Sequence, residues 1–154
     1  PNWYLDVSLL NKYWGSDRVY HHTAPVNMNF AIREALRLLS EEGLENAWNR
    51  HIDNAQILWD GMENIGIELL VDRALRLPTL TTVKIPDGVD GKAFAVHLLN
   101  KYGIEIGVGL GDLAGKVWRI GLMGYNSTSE NVDKILNLFE TELPNFQAKN
   151  SSEA

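Results

Sequence analysis

Two places in the sequence combine residue types able to hold an anion. The first is Lys116-Val117-Trp118-Arg119-Ile120-Gly121-Leu122-Met123-Gly124, where one arginine interrupts a run of strand-forming residues. Val117, Trp118 and Ile120 suit a half-buried pleat, and Gly121 and Gly124 allow close approach or turning. A guanidinium in such a strand is costly to desolvate unless an anion meets it, and its planar fork suits a carboxylate. Two partners satisfy that demand: one of the chain's own 20 acidic residues, or the carboxylate of a bound substrate. The second place is Tyr20-His21-His22-Thr23-Ala24-Pro25. Ala24 precedes a proline and is pushed out of the helical region, so Tyr20 and Thr23 stand on an extended segment just ahead of a helix. Both hydroxyls can donate to one phosphate there; they can equally serve as ordinary turn and capping groups.

Other patterns carry less. Gly107-Val108-Gly109-Leu110-Gly111 lacks the third glycine of a dinucleotide fingerprint at its required position, and it joins two strands rather than a strand and a helix. Gly115-Lys116 fails as a phosphate loop, because Leu110 stands where the first glycine belongs and Val117 where Ser or Thr is required. The glycines read as a flexible inter-strand loop that can shape the mouth of a site beside Arg119. His21 and His22 are adjacent on an extended segment and are expected to point to opposite faces; His51 and His97 lie on separate helices, so no metal site is expected. Glu41/Glu42 and Asp53/Asp60 read as solvated helix faces.

The elements that must position these residues follow from periodicity. Residues 3–14 mix aromatic and polar side chains, which predicts a short strand or helical turn before a break at Gly15-Ser16-Asp17. A helix is predicted from Asn27 to about Glu42, with Phe30, Ala31, Ala35, Leu38 and Leu39 on one face and a stop at Gly43. A longer one follows to Asn64, carrying Leu44, Ala47, Trp48, Ile52, Ala55, Leu58, Trp59 and Met62 at helical spacing, with Gly66 beyond it. Ile67–Val71 and Thr79–Ile85 read as strands, Asp90–Tyr102 as a helix closed by Gly103, Ile104–Ile106 as a short strand, and Val117–Gly121 as the arginine strand. Ser129 or Thr128 caps a last helix that runs through Phe139 and Leu143 to Pro144. The class is therefore α+β: a small, mostly antiparallel sheet with helices on one side, preceded by a long helix pair. In segments, 1–26 is a lead-in, 27–65 the linking helices, 66–146 the small domain and 147–154 a polar tail.

At 154 residues, 45% of them hydrophobic, the chain can bury a real core. Its net charge of −6 is spread without a basic stripe, so neither nucleic acid nor a membrane surface is an expected partner. Cysteine is absent, which removes disulfides and thiolate chemistry. No apolar run approaches the roughly 20 residues of a membrane span. The opening Pro1-Asn2-Trp3-Tyr4-Leu5 has no polar lead-in and predicts a chain cut from something longer.

Several blocks together resemble one family. Tyr20-His21-His22-Thr23-Ala24-Pro25-Val26, Glu41-Glu42-Gly43-Leu44-Glu45, Leu75-Arg76-Leu77-Pro78-Thr79-Leu80-Thr81-Thr82-Val83, and Gly109-Leu110-Gly111 through Lys116–Gly121 look like the C-terminal part of alanine–glyoxylate (serine–pyruvate) aminotransferases. These are class V enzymes of fold type I that use pyridoxal 5′-phosphate. The likeness runs from about Trp3 to Leu143, with the blocks in the family's order. It implies that Arg119 holds the α-carboxylate of the amino or keto acid. It implies that Tyr20 and Thr23 reach the cofactor phosphate of the partner subunit in a homodimer, and that 66–146 is the small C-terminal domain. It also implies an absence. None of Lys12, Lys84, Lys92, Lys101, Lys116, Lys134 and Lys149 sits in the family's serine-rich motif around the Schiff-base lysine, so the chain on its own is expected to be catalytically silent. Transfer from alanine or serine to glyoxylate is the activity implied for the parent. A related class V transamination such as that of 3-hydroxykynurenine, and a non-catalytic dimerisation or binding module, are the alternatives. No compartment is legible.

Overall fold

One strand organises the larger part of the molecule. In the computed structural model, which describes residues 2–147, β3 (Val117–Gly121) is the middle of a three-stranded antiparallel sheet of order β1-β3-β2. It pairs on one side with β1 (Leu80–Lys84), from Leu80 opposite Gly121 to Lys84 opposite Val117. On the other side it pairs with β2 (Gly107–Val108), where Gly107 faces Arg119 and Val108 faces Trp118. The two-residue period of a strand then sorts the side chains. Thr81, Val83, Trp118 and Ile120 share the face that is buried under helices, while Thr82 and Arg119 share the opposite face. Val117 is in the second set yet buried, because it packs against Gly109 in the loop that follows β2.

Among the described residues the chain forms five α-helices, four of them where the apolar spacing predicts a helix and the first where it leaves a short strand or a helical turn. They are α1 (Val7–Trp14), α2 (Val26–Glu42), α3 (Leu44–Asn64), α4 (Gly91–Tyr102) and α5 (Ser129–Glu142). The core joins Ala55, Leu58, Trp59 and Met62 of α3 to Phe94 and Leu98 of α4, Val132, Ile135, Leu138 and Phe139 of α5, and the inward residues of the sheet. Phe94, Trp118 and Phe139 meet as tilted and edge-on rings 5.1 to 5.5 Å apart, an arrangement favoured by the ring quadrupoles. A Cβ at Gly61 would overlap the Leu136 side chain, so α3 and α5 approach closely at a position with no side chain. Asp90 caps α4 by accepting from the Ala93 amide at 2.9 Å, and Thr128 caps α5 by accepting from Asn131 at 3.2 Å. Gly103, with φ +66°, closes α4 in the left-handed conformation.

The chain divides into two compact units, the first ending at Glu42 and the second beginning at Gly43. α2 belongs to the first unit and α3 contributes core to the second. In the first unit, residues 3–14 form a 3-10 turn, Trp3–Leu5, and the helix α1, whose start is set by the Asp6 carboxylate accepting from the amides of Ser8 and Leu9. These amide and hydroxyl donors, the Ser8 hydroxyl foremost, hold the Asp6 carboxyl below its ordinary value. Phe30, Ala31, Ala35 and Leu38 of α2, expected to form a packed face, are exposed.

Two predicted strands come out differently. Ile67–Val71 makes a single bridge, Leu69 opposite Val83, with the Lys84 amide donating to Glu68 and the Leu70 amide to Thr82 before the chain turns away into a 3-10 turn at Arg73–Leu75. The strand expected at Ile104–Ile106 lies one step later, at Gly107–Val108. Ile106 is used as a core residue instead, and Ile104 donates its amide back to Leu98 at the end of α4. The last helix gives way at Glu142 to a 3-10 turn, Leu143–Phe146, with Pro144 in its first positions. Gln147 bridges to Val89, and the remainder of the expected tail, 148–154, lies outside the described residues.

The end of α5 is tied to α4 through one carboxylate. Glu142 accepts from the Tyr102 hydroxyl, from His97 Nε2 at 2.9 Å and from Lys101 Nζ at 3.1 Å. These donors, Tyr102 first, hold the Glu142 carboxyl down at about 2, from an ordinary value of 4.5. A carboxyl depressed in the folded state stabilises fully above its unfolded pKa and loses that contribution as pH falls through the folded one. Glu142→Gln should therefore lower the urea midpoint at pH 7. The gap to wild type should close between pH 4.5 and about 2, the interval set by the shifted carboxyl. A gap that persists unchanged at the acid end would show that the carboxylate's charge is not what ties the two helices.

Candidate functional site

The predicted site residues fall in different units, and each unit builds its own group. In the second unit Arg119 occupies the sheet face away from the helical core, partly exposed and opposite Thr82 on β1 and Gly107 on β2. Its Nε donates to the Val108 carbonyl at 3.2 Å. That bond holds the base of the guanidinium and leaves the two Nη groups at its far end as the remaining donors. Among the described residues Arg119 forms no ion pair, whereas Arg37, Arg73, Arg76, Lys84 and Lys101 all do. The internal salt bridge that the strand alone left open is thus not what the fold makes of Arg119.

The surroundings of Arg119 are shaped by two glycines for two reasons. At Gly107 a Cβ would sit 3.4 to 3.5 Å from the Nε, Nη2 and Cβ of Arg119, so the guanidinium lies across the strand at ordinary contact distance. At Gly109 a Cβ would overlap the Leu113 carbonyl, which closes the loop back onto β2. Backbone bonds then finish that loop: the Leu113 amide donates to Leu110 and Lys116 to Leu113, both at 3.1 Å, and Gly109 donates to Val117 at 3.1 Å. The Val108 carbonyl that anchors Arg119 therefore sits next to the tightest point of the loop. No residue-type signal in the sequence marks a main-chain carbonyl as the positioning group, so sequence reasoning missed it.

A second feature missed from the sequence braces the chain just after β3. His51 on α3 contacts the Ala47 carbonyl through Nδ1 at 2.6 Å, which requires a proton there, and its Nε2 accepts from the Gly124 amide at 2.9 Å. Arg50 donates to the carbonyls of Gly124 at 2.9 Å and Ser127 at 2.7 Å, and buried Asn54 donates to Ser127 at 2.9 Å. Three polar residues on one turn of α3 thus satisfy the backbone of 124–127 and fix the exit of the arginine strand. Their spacing (50, 51, 54) is visible in the sequence, but their target is not.

In the first unit the segment 19–25 belongs to no helix or strand. Arg18, with φ +45°, turns the chain after α1. The Tyr20 hydroxyl and Thr23 Oγ1 lie 2.9 Å apart, so the two residues singled out do converge. Tyr20 is 68% exposed, which leaves its hydroxyl free to exchange partners. An open concavity of about 350 Å³ is lined by residues 23–28, where α2 begins. The first amide to bond back into that helix is Asn29, to the Pro25 carbonyl at 3.0 Å, so the amides of Asn27 and Met28 precede the hydrogen-bonded ladder at its positive end. Two convergent hydroxyls beside such a terminus fit a phosphate. His21 and His22, expected on opposite faces, instead meet ring to ring with their Nδ1 atoms 2.8 Å apart; the segment is not held in a pleated pair, so alternation does not bind it. Among the described residues no group of three or more His, Asp or Glu is placed to hold a metal.

The chain is similar to known proteins along most of its length. The family model described as Aminotransferase class-V matches residues 5–135. An alanine–glyoxylate aminotransferase of Callithrix jacchus is 50% identical over 138 residues, covering 87% of this chain and 33% of that protein. An (S)-ureidoglycine–glyoxylate transaminase of Bacillus subtilis is 44% identical over 129 residues, covering 84% of this chain and 31% of that protein. The crystal structure of an alanine–glyoxylate aminotransferase from Nostoc sp. superposes with a TM-score of 0.83 at 62% identity, covering 90% of this chain and 37% of that one. The chain thus spans about a third of the length of the relatives it matches.

The loop beside Arg119 yields its own test. Gly109→Ala should lower stability by about 1–3 kcal/mol, because the new methyl must push the Leu113 carbonyl aside. Gly107→Ala, whose Cβ meets only ordinary contacts, should stay within about 0.5 kcal/mol of wild type. Urea denaturation of both variants measures the contrast, and equal losses would show that the loop closure is not steric.

Proposed function

This chain belongs to the class V aminotransferases, and we propose that it is the C-terminal portion of a pyridoxal-phosphate enzyme moving an amino group from alanine or serine to glyoxylate or a related 2-oxo acid. Glyoxylate as acceptor is supported by the relatives' names, which share it while their donors differ. The observation that carries the reading is the state of Arg119: a guanidinium braced at Nε by the Val108 carbonyl, on the open face of the sheet, with no ion-pair partner among the described residues. Its Nη groups take the α-carboxylate of the amino or keto acid as a pair of charge-assisted hydrogen bonds. That clamp fixes where the carbon bearing the amino group lies, which is the positional share of catalysis. Tyr20 and Thr23 donate to the cofactor phosphate of the partner subunit in a homodimer, aided by the start of α2. Pyridoxal phosphate, when bound, supplies the electron sink and the exchangeable amino group. The lysine that anchors it lies outside the motifs of this chain.

Two measurements test these assignments in the full-length protein that carries this sequence. Arg119→Ala should leave cofactor affinity and thermal stability nearly unchanged while kcat/KM for alanine and glyoxylate falls at least roughly ten- to a hundredfold, the range of one of the two charge-assisted hydrogen bonds. Arg119→Lys should restore only part, because an ammonium lacks the fork. Normal turnover per folded molecule with lost stability would make Arg119 structural.

The second measurement addresses the partner subunit. A mixed dimer pairs a subunit lacking the cofactor lysine with one carrying Tyr20→Phe and Thr23→Val. The single lysine-bearing site then receives intact hydroxyls from its neighbour and should bind pyridoxal phosphate as wild type does. Cofactor held there as weakly as in the doubly substituted homodimer would mean that the hydroxyls act within their own subunit.

A further inference from the structure

Among the described residues of the first unit His21 is the one buried side chain, and in sequence it stands between Tyr20 and Thr23, the two residues assigned to the phosphate. Its hydrogen bonds fix its proton. Nε2 lies 3.0 Å from the Trp3 carbonyl, which can only accept, so Nε2 carries the hydrogen. The Trp3 indole stacks on the same ring, with centroids 4.1 Å apart and planes 8° from parallel. With both imidazoles neutral, His21 Nδ1 is then a bare lone pair. His22 must donate to it from its own Nδ1, across 2.8 Å. One added proton leaves this bond intact, since the remaining ring nitrogen of His22 can take it. A second puts a hydrogen on both facing Nδ1 atoms and two positive charges side by side, and the bond is lost. Among the described residues the groups facing the pair are the Trp3 ring against His21, the Tyr4 and Tyr13 rings against His22, at 4.7 and 5.7 Å, and the nearby Asp6 carboxylate. None of them replaces the Nδ1–Nδ1 bond.

The pair is connected to the hydroxyls by chain and by packing. His21 ties the backbone between Tyr20 and Thr23 to residue 3, and the His22 ring touches Tyr13, which in turn packs edge-on against Tyr20 at 5.9 Å. We propose that His21 and His22 are positioning residues that hold Tyr20 and Thr23 together for the cofactor phosphate, through one imidazole–imidazole hydrogen bond that tolerates a single added proton. The inference rests on the phosphate reading above and adds a regulation to it: cofactor is held while the pair carries at most one extra proton and released when both rings are charged.

The test uses the full-length protein carrying this sequence, with the dissociation constant of pyridoxal phosphate measured by equilibrium dialysis across pH. His22→Leu removes the donor and should weaken the cofactor about three- to tenfold at neutral pH, the range of one neutral hydrogen bond. His22→Asn places an amide N–H where Nδ1–H was and does not titrate, so it should rescue affinity to within about twofold and flatten the loss expected of wild type on acidification. Imidazole nitrogen shifts of the wild-type protein at alkaline pH, independent of any variant's folding, should show His21 protonated at Nε2 and His22 at Nδ1. Two Nε2-protonated rings, or a His22→Leu protein that binds cofactor like wild type, would overturn the latch. So would a His22→Asn protein with the wild-type pH profile. The doubly substituted Tyr20→Phe, Thr23→Val protein separates the two failures. If it binds cofactor normally, the phosphate reading falls and takes the latch with it. If it binds weakly while the His22 variants are silent, only the latch falls.

Discussion

The burial of Trp118 is the constraint on which the second unit depends. Its indole is fully enclosed between Phe94 and Phe139, and its N–H donates to the Gly91 carbonyl at 2.8 Å, so the largest side chain of β3 has one orientation in which it is both packed and satisfied. Once Trp118 faces the helices, the period of the strand sends Arg119 to the other face. A slip of one residue would drive the guanidinium into the core and the indole into solvent, so the register is set by a large difference in desolvation cost. The substrate-binding assignment of Arg119 is in this sense a consequence of its neighbour.

The platform that carries the arginine is stiffened by polar contacts as much as by its apolar core. Trp59 donates to Thr81 Oγ1 at 2.9 Å and so ties α3 to β1, and Arg50, His51 and Asn54 tie the same helix to the segment after β3. Buried or half-buried donors left unpaired would each cost more than the bonds contribute in isolation, so these contacts specify one docking of α3 on the sheet. The Arg76 guanidinium, 5.6 Å from the Trp59 ring centre and 2.8 Å from Glu63, adds an ion pair and an aromatic contact on the outer side of that helix. The first unit is built differently. Among its described residues one is buried and many apolar ones are exposed, and its local order comes from stacked and edge-on rings around the histidine pair.

Much of the fold was legible because its signals are local. Apolar residues at helical spacing placed α3 and α4 to within a residue, Gly103 and Asp90 marked real ends, and the β-branched and aromatic run at 117–121 is a strand over those residues. The two strand errors share one cause. Residues 104–106 and 67–71 look like strands by composition, yet a strand exists only where a neighbour supplies the ladder. Ile106 and Leu69 were recruited as core side chains beside a sheet whose pairing begins at Gly107 and allows Leu69 a single bridge. Asp6 as a helix cap was also readable in principle, since an aspartate followed by an apolar helical turn is a capping pattern; the aromatic residues on either side obscured it.

By itself the sequence determined the elements, the class of the fold and the residue types able to hold a carboxylate and a phosphate, because side-chain chemistry and short-range periodicity are properties of neighbours along the chain. Only the tertiary structure decided what those residues touch. It withheld every acidic partner among the described residues from Arg119, bound its Nε to a main-chain carbonyl and placed Gly107 beneath the guanidinium. It also turned two histidines expected to diverge into a hydrogen-bonded pair. Carbonyl groups and ring orientations carry no signature in a string of residue names, and their positions follow from long-range packing of Trp118, Trp3 and the helices, which is settled only when the whole unit folds.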